Sequence, residues 1–148
     1  MSDPLAPPLP AQQAALIRHS LSRALQRRRL LGQRFYRQLF DRHPELRTLF
    51  SDDLAAQERK LEETLDVFAG DLSRWEALRP AMRRLGGRHV GYGVRPEHYT
   101  QVGEALLGAL AEVLEESFTP EVRAAWERVY GLLTQEMLRG AAPDPGEA

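Results

Sequence analysis

One histidine in this chain stands where it could do chemistry. Leu78, Met82, Leu85 and His89 fall at i, i+4, i+7 and i+11. On a helix these positions share a face, so the imidazole closes an otherwise apolar stripe. An imidazole there is either a hydrogen-bonded core group or a metal ligand through its unprotonated nitrogen, and spacing alone leaves both readings open. Gly86 and Gly87 lie just before it. Each costs about 1 kcal/mol in a helix interior, which implies that something flat or bulky presses against this backbone, and a planar cofactor is one such body. The remaining histidines, His19, His43 and His98, occupy more polar stretches. A second inward polar group is Gln57, which shares a face with Leu54, Leu61, Leu65, Phe68 and Leu72. A capped, half-exposed position near a helix start accounts for it.

These side chains need helices to hold them, and the chain supplies a series. Periodicity of 3.6 residues recurs in segment after segment, with no alternating β-branched run, so the class is all-α. The pattern predicts a first helix over about 11–26, with Leu16, Leu21 and Leu25 inward. A second, over about 31–42, carries Leu31, Phe35 and Leu39 on one line with Tyr36 and Phe40 beside it. Between them Arg27, Arg28 and Arg29 fan around the axis and read as solvated surface. His43-Pro44 ends the second helix, because the residue before proline avoids the α region, and Pro44 opens a short turn leading to Phe50. A third helix covers about 53–70, and a fourth runs from Trp75 to His89, where Val90 to Val94 supply turn residues. Pro96 opens a fifth, to about Ser117, with Tyr99, Val102, Leu106, Leu110 and Val113 inward. Thr119, Pro120 and Glu121 form an N-cap, a first-position proline and a first-turn acid. The last helix has Val122, Trp126, Val129, Leu133 and Met137 on its inner face.

Composition narrows the classes. A chain of 148 residues is the size of one domain and buries roughly 70 per cent of its unfolded surface. Residues 1–10 carry four prolines and residues 141–148 two more beside a glycine, so both are expected as flexible tails around a domain spanning 11–140. Twenty Lys and Arg against 21 Asp and Glu give no field that would attract nucleic acid or an anionic membrane. The absence of cysteine excludes disulfides, thiolate ligands and thioether attachment of a cofactor. No basic segment precedes an apolar run at the N-terminus, and no stretch nears the ~20 apolar residues of a membrane span, so the chain reads as cytoplasmic. No phosphate-binding glycine loop, H-E-x-x-H pair or EF-hand loop occurs. Glu62-Glu63 and Glu115-Glu116 diverge around their helices instead of forming acid/base pairs, and no catalytic residue is assigned.

In chain order, FYRQLFDRHPELRTLF, QERKLEETL, LGGRHVGYGVRPEHYTQVGEALL and FTPEVRAAWERVYGLL resemble the globin family. The likeness is to single-domain bacterial globins, to neuroglobin, to the Hell's Gate globin and to the haem domain of flavohaemoglobins, over about residues 12–139. It implies a globin fold with helices packed three-over-three around a noncovalent haem b. By the same resemblance His89 matches the proximal iron ligand, Phe50 the aromatic wedged against the porphyrin, Tyr36 the distal tyrosine, Gln57 the distal residue of the third helix and Leu61 the apolar residue one turn later. Leu85, Val94, Tyr99 and Val102 complete the implied cofactor wall. A metal-binding imidazole needs an acceptor for its other nitrogen, and the Leu85 carbonyl one turn back is the natural candidate. Tyr36 and Gln57 would be two donors in an apolar pocket, suited to a ligand carrying partial negative charge.

One position departs from the pattern. Flavohaemoglobins pair the proximal histidine with a tyrosine, matched here by Tyr99, and with a last-helix glutamate, where this chain has Ala141; Glu136 is close in sequence but out of phase. The function implied is binding of dioxygen, and of nitric oxide, for storage or scavenging at an iron that is five-coordinate or reversibly six-coordinate. The enzymatic alternative is nitric oxide dioxygenase fed by an external reductase, since the sequence stops where a reductase domain would begin. Nothing in the sequence fixes the oligomeric state.

Overall fold

A computed structural model describes residues 9–71, 75–91 and 93–141. The tails expected at either end therefore fall largely outside the described residues, as does the inward position expected of Leu72. Among the described residues there is no strand; the elements are α1 (Ala11–Leu25), α2 (Arg28–Arg42), a 3-10 turn (Pro44–Leu49), α3 (Leu54–Asp71), α4 (Trp75–Gly91), α5 (Pro96–Leu114), a second 3-10 turn (Glu115–Ser117) and α6 (Pro120–Ala141).

The boundaries that carry punctuation in sequence fall where expected, and the others shift. α2 starts three residues early, at Arg28, because the break from α1 is a single residue, Arg27 at φ −121° and ψ 44°. Its N–H closes α1 on the Ala24 carbonyl at 3.0 Å while its own carbonyl already accepts from Leu31 at 3.0 Å. No glycine, proline or capping side chain marks such a kink. α4 continues past His89 to Gly91, and the chain reverses at Gly93, whose φ of +86° a side chain would resist. The predicted fifth helix ends at Leu114, where Glu115 at φ 54° breaks it, and the tail to Ser117 tightens into the 3-10 turn.

α4 lies on α6 and α2 against α5 most extensively, while α1 crosses α6 and α2 crosses α3. This sets α1, α3 and α4 over α2, α5 and α6, the three-over-three arrangement. The glycines before His89 answer to α6 and not to a cofactor. A Cβ on Gly86 would lie 1.9 Å from the Met137 carbonyl oxygen, and one on Gly140 would lie 1.8 Å from that of Arg83. The two helices cross backbone to backbone. Sequence reveals that a close approach is needed there, but not from which side.

The core is tight in one half of the molecule and half-covered in the other. Ile17, Leu21, Leu31, Leu39, Leu78, Leu110 and Val129 are fully buried. Along α3, Leu65 and Phe68 are buried but Leu61 is only half-buried; along α4, Leu78 is buried but Met82, Leu85 and His89 are not; along α5, Leu110 and Val113 are buried but Val102 and Leu106 are not. The half-covered positions therefore fall in the first half of α3, the middle and second half of α4 and the middle of α5.

Candidate functional site

His89 is fixed at its ring and at its main chain. Nδ1 lies 2.7 Å from the Leu85 carbonyl oxygen. A carbonyl only accepts, so this contact puts the ring proton on Nδ1 and, in the neutral imidazole, the lone pair on Nε2. Its own carbonyl accepts the Val94 N–H at 3.0 Å, closing the turn through Gly93. The Tyr99 ring stacks beside the imidazole at 6.3 Å between centroids and 25° between planes. Tyr99 is held in turn by Tyr130, whose hydroxyl donates to the Tyr99 carbonyl. Tyr130 needs Gly103 opposite, since a Cβ there would lie 2.5 Å from its ring. Burial pushes both phenols above their ordinary range, so both stay neutral.

A second group forms where α2, the first 3-10 turn and α3 meet. The buried Tyr36 hydroxyl donates to the Gln57 carbonyl oxygen at 3.2 Å. Burial first, and the charge of Glu58 second, push the Tyr36 phenol well above its ordinary range, so it remains a donor at any physiological pH. The Phe50 ring meets those of Tyr36 and Phe40 edge-on at 5.6 and 5.5 Å. Arg47, which sequence reasoning passed over, fixes this corner: its guanidinium lies 5.3 Å over the Phe40 ring and donates to the carbonyls of Ser51 and Asp52 at 2.9 and 3.3 Å. Asp53 then caps α3, accepting the Ala56 N–H at 3.1 Å, so Gln57 sits half-buried in the first turns of that helix.

The expected site residues thus assemble into two walls. Leu85, His89, Val94 and Tyr99 belong to one; Tyr36, Phe50, Gln57 and Leu61 belong to the other; Val102 stands half-buried on α5. Tyr36 and Gln57, expected as two separate donors, are linked to each other, and the link runs through the Gln57 main-chain carbonyl. The other histidines have structural surroundings: His43 lies within 4 Å of Glu45 and Glu104 at 3.6 and 3.9 Å, His98 accepts the Arg95 N–H at 2.9 Å, and His19 is exposed.

α3 and α4, which carry Leu61 and Met82, Leu85 and His89, touch each other little. A flat apolar group between them would cover side chains that the protein leaves half-exposed. Among the described residues no three His, Cys, Asp or Glu side chains converge as a metal cluster. One imidazole in an apolar wall suits a metal whose other ligands come from a macrocycle. The residues present fit such a group.

Comparison with known proteins points the same way. The Globin family profile matches residues 33–137. The flavohemoprotein of Rhizobium meliloti is 35% identical over 104 residues, which is 68% of this chain and 26% of that protein. That of Deinococcus radiodurans is 32% identical over 133 residues, 88% of this chain and 33% of that protein. The chain spans about a third or less of the length of these relatives. Among solved structures, an engineered carbene transferase made from a putative nitric oxide dioxygenase of Rhodothermus marinus is 33% identical with a TM-score of 0.78, covering 90% of this chain and 93% of that one. A bacterial globin from Campylobacter jejuni is 25% identical with a TM-score of 0.76, covering 89% and 96%. No described helix is long and apolar enough to cross a membrane.

Proposed function

This chain belongs to the globin family, and on that premise we propose that it holds one noncovalent haem b between α3 and α4, with His89 on the iron, and binds dioxygen and nitric oxide for storage or scavenging. The observation that carries this reading is the His89 ring, set in a half-covered apolar wall with Nδ1 committed to Leu85 at 2.7 Å. Bound haem would supply an iron that takes diatomic ligands and exchanges one electron. The chain's own residues do the rest. His89 would bind through Nε2, with its tautomer fixed by the Leu85 carbonyl. Phe50, Leu61, Leu85, Val94 and Val102 would line the haem site and exclude water from it. Tyr36 keeps its proton and offers it to a partly charged ligand, with the Gln57 amide as supporting donor. Residues 11–140 are taken as the haem-binding unit.

A second reading, nitric oxide dioxygenase served by an external reductase, is favoured by the likeness to the Rhodothermus protein. In that reaction dioxygen and nitric oxide give nitrate, and each cycle consumes one electron. Mixing the oxygenated protein with excess nitric oxide and NADH separates the two. A binder reacts once per chain and stops oxidised. Sustained nitrate formation only on adding a flavin reductase would favour the enzyme, and sustained formation from this chain and NADH alone would contradict the binder reading and the need for an external reductase.

A further inference from the structure

The mechanism above makes no use of Glu136, yet its side chain is only 5% exposed, in a helix whose other charged groups face water. Three guanidinium groups surround its carboxylate. Oε2 accepts from Arg83 Nε at 2.8 Å, and Oε1 accepts from Arg139 Nη1 at 2.6 Å and lies 3.4 Å from Arg79 Nε. Arg139 is on the same helix as Glu136. Arg79 and Arg83 are on α4, one turn apart, so two of the three links tie α6 to α4.

The location of these links gives them a purpose. Met137, the next residue, is the one whose carbonyl would meet a Cβ on Gly86, and Arg83 is the one whose carbonyl would meet a Cβ on Gly140. Gly86 follows Leu85, the acceptor for His89 Nδ1. The carboxylate is therefore tied to the backbone-to-backbone crossing, and its partner Arg83 lies within two turns of the imidazole on α4. Glycines permit close approach, but a smooth contact between two backbones leaves the helices able to slide along one another. A buried ion pair supplies what they lack, because it is satisfied in only one register. Burying a carboxylate is costly unless it is paired, so the three arginines and the register are enforced together.

We propose that Glu136 is a positioning residue for His89: by holding Arg79 and Arg83 it fixes the register of α4 on α6, and with it the place of the imidazole in the half-covered wall. The spectroscopic part of the test rests on the haem reading of the site; the exchange part does not.

Glu136→Gln keeps the shape and removes the charge. Ser20→Ala serves as the comparison variant, because it breaks a buried hydrogen bond to Trp126 in the tight half without touching the crossing. In the apo-protein, amide hydrogen exchange over residues 82–91 should rise by about tenfold or more in Glu136→Gln relative to Ser20→Ala. In the haem-loaded protein, the iron–histidine stretching band should shift or broaden, and haem transfer to an acceptor apoglobin should quicken by about tenfold, with partial recovery in Glu136→Asp. Arg83→Gln should move the same readouts less, since two guanidinium groups remain, and it stands in if Glu136→Gln does not fold. If Glu136→Gln lowers the melting temperature as Ser20→Ala does but leaves α4 exchange, the Raman band and haem transfer where they were, Glu136 is an ordinary stabilising group and the proposal is overturned. If the wild type shows no iron–histidine band, the haem reading fails by itself, and the exchange result still decides whether Glu136 holds α4.

Discussion

The two halves of the molecule use the same apolar stripes for different ends. Where α1 and α6 meet, a buried polar chain is answered internally: the Trp126 indole N–H donates to Ser20 Oγ at 2.8 Å, and Ser20 donates onward to the Ile17 carbonyl at 3.1 Å. Phe68 packs on the same indole at 6.3 Å between centroids. Where α3 and α4 part, the stripes continue through Leu61, Met82, Leu85 and His89 but lie half-exposed. Stability should reside in the first half and ligand chemistry in the second. Substitutions that act on one half alone can break or sharpen that division.

The largest effect is expected at His89. His89→Gly should weaken haem binding by about a hundredfold or more, with recovery on adding imidazole, because a macrocycle held only by apolar contacts keeps no fixed axial ligand. Thermal melting of the apo-protein should change little, and a large loss of melting temperature would join the two halves into one. The reverse is expected of Ser20→Ala. Leaving the buried Trp126 N–H without its acceptor should cost about 1–3 kcal/mol in denaturant unfolding, with dioxygen release unchanged in stopped-flow measurements.

Tyr36→Phe should speed dioxygen release by about tenfold, or about 1.4 kcal/mol. The phenol has another acceptor, the Gln57 carbonyl, so a ligand gains only the difference between a charge-assisted and a neutral hydrogen bond. Equal release rates in Tyr36→Phe, Gln57→Leu and the wild type would remove this wall from the ligand chemistry. The smallest effect is alkaline. Burial raises the folded pKa values of Tyr36 and Tyr130 above the ordinary phenol value of 10.0. The unfolded chain ionises first, so their contribution is intact below pH 10 and is lost as pH rises above it. Unfolding free energy should fall above that pH, less steeply in Tyr36→Phe, and an unchanged slope would show that the phenol is not held neutral by the fold.

Much of the half-covered part is legible in sequence because its signals are local. His89 and Leu85 are one helical turn apart, so the imidazole's partner follows from periodicity, as does the inward line of Trp126. What is illegible depends on a second helix. Gly86 announces a close approach, but only the fold shows that the Met137 carbonyl makes it. Glu136 follows buried Val129 by seven residues, so its own helix marks it as inward, but only the fold shows that Arg79 and Arg83 of α4 answer its charge. Arg27 breaks a helix without any residue type that marks a break, and Arg47 acts through main-chain carbonyls that carry no sequence signature.

The central claim is that the half-covered wall between α3 and α4 is a haem site held by His89. Titrating the purified apo-protein with haem, while following visible absorption and the ferrous iron–histidine Raman band, tests it most directly. The account predicts saturation at one haem per chain, with a band that is absent from His89→Gly. Binding that does not saturate, or a His89→Gly protein whose affinity and spectra match the wild type, would contradict it.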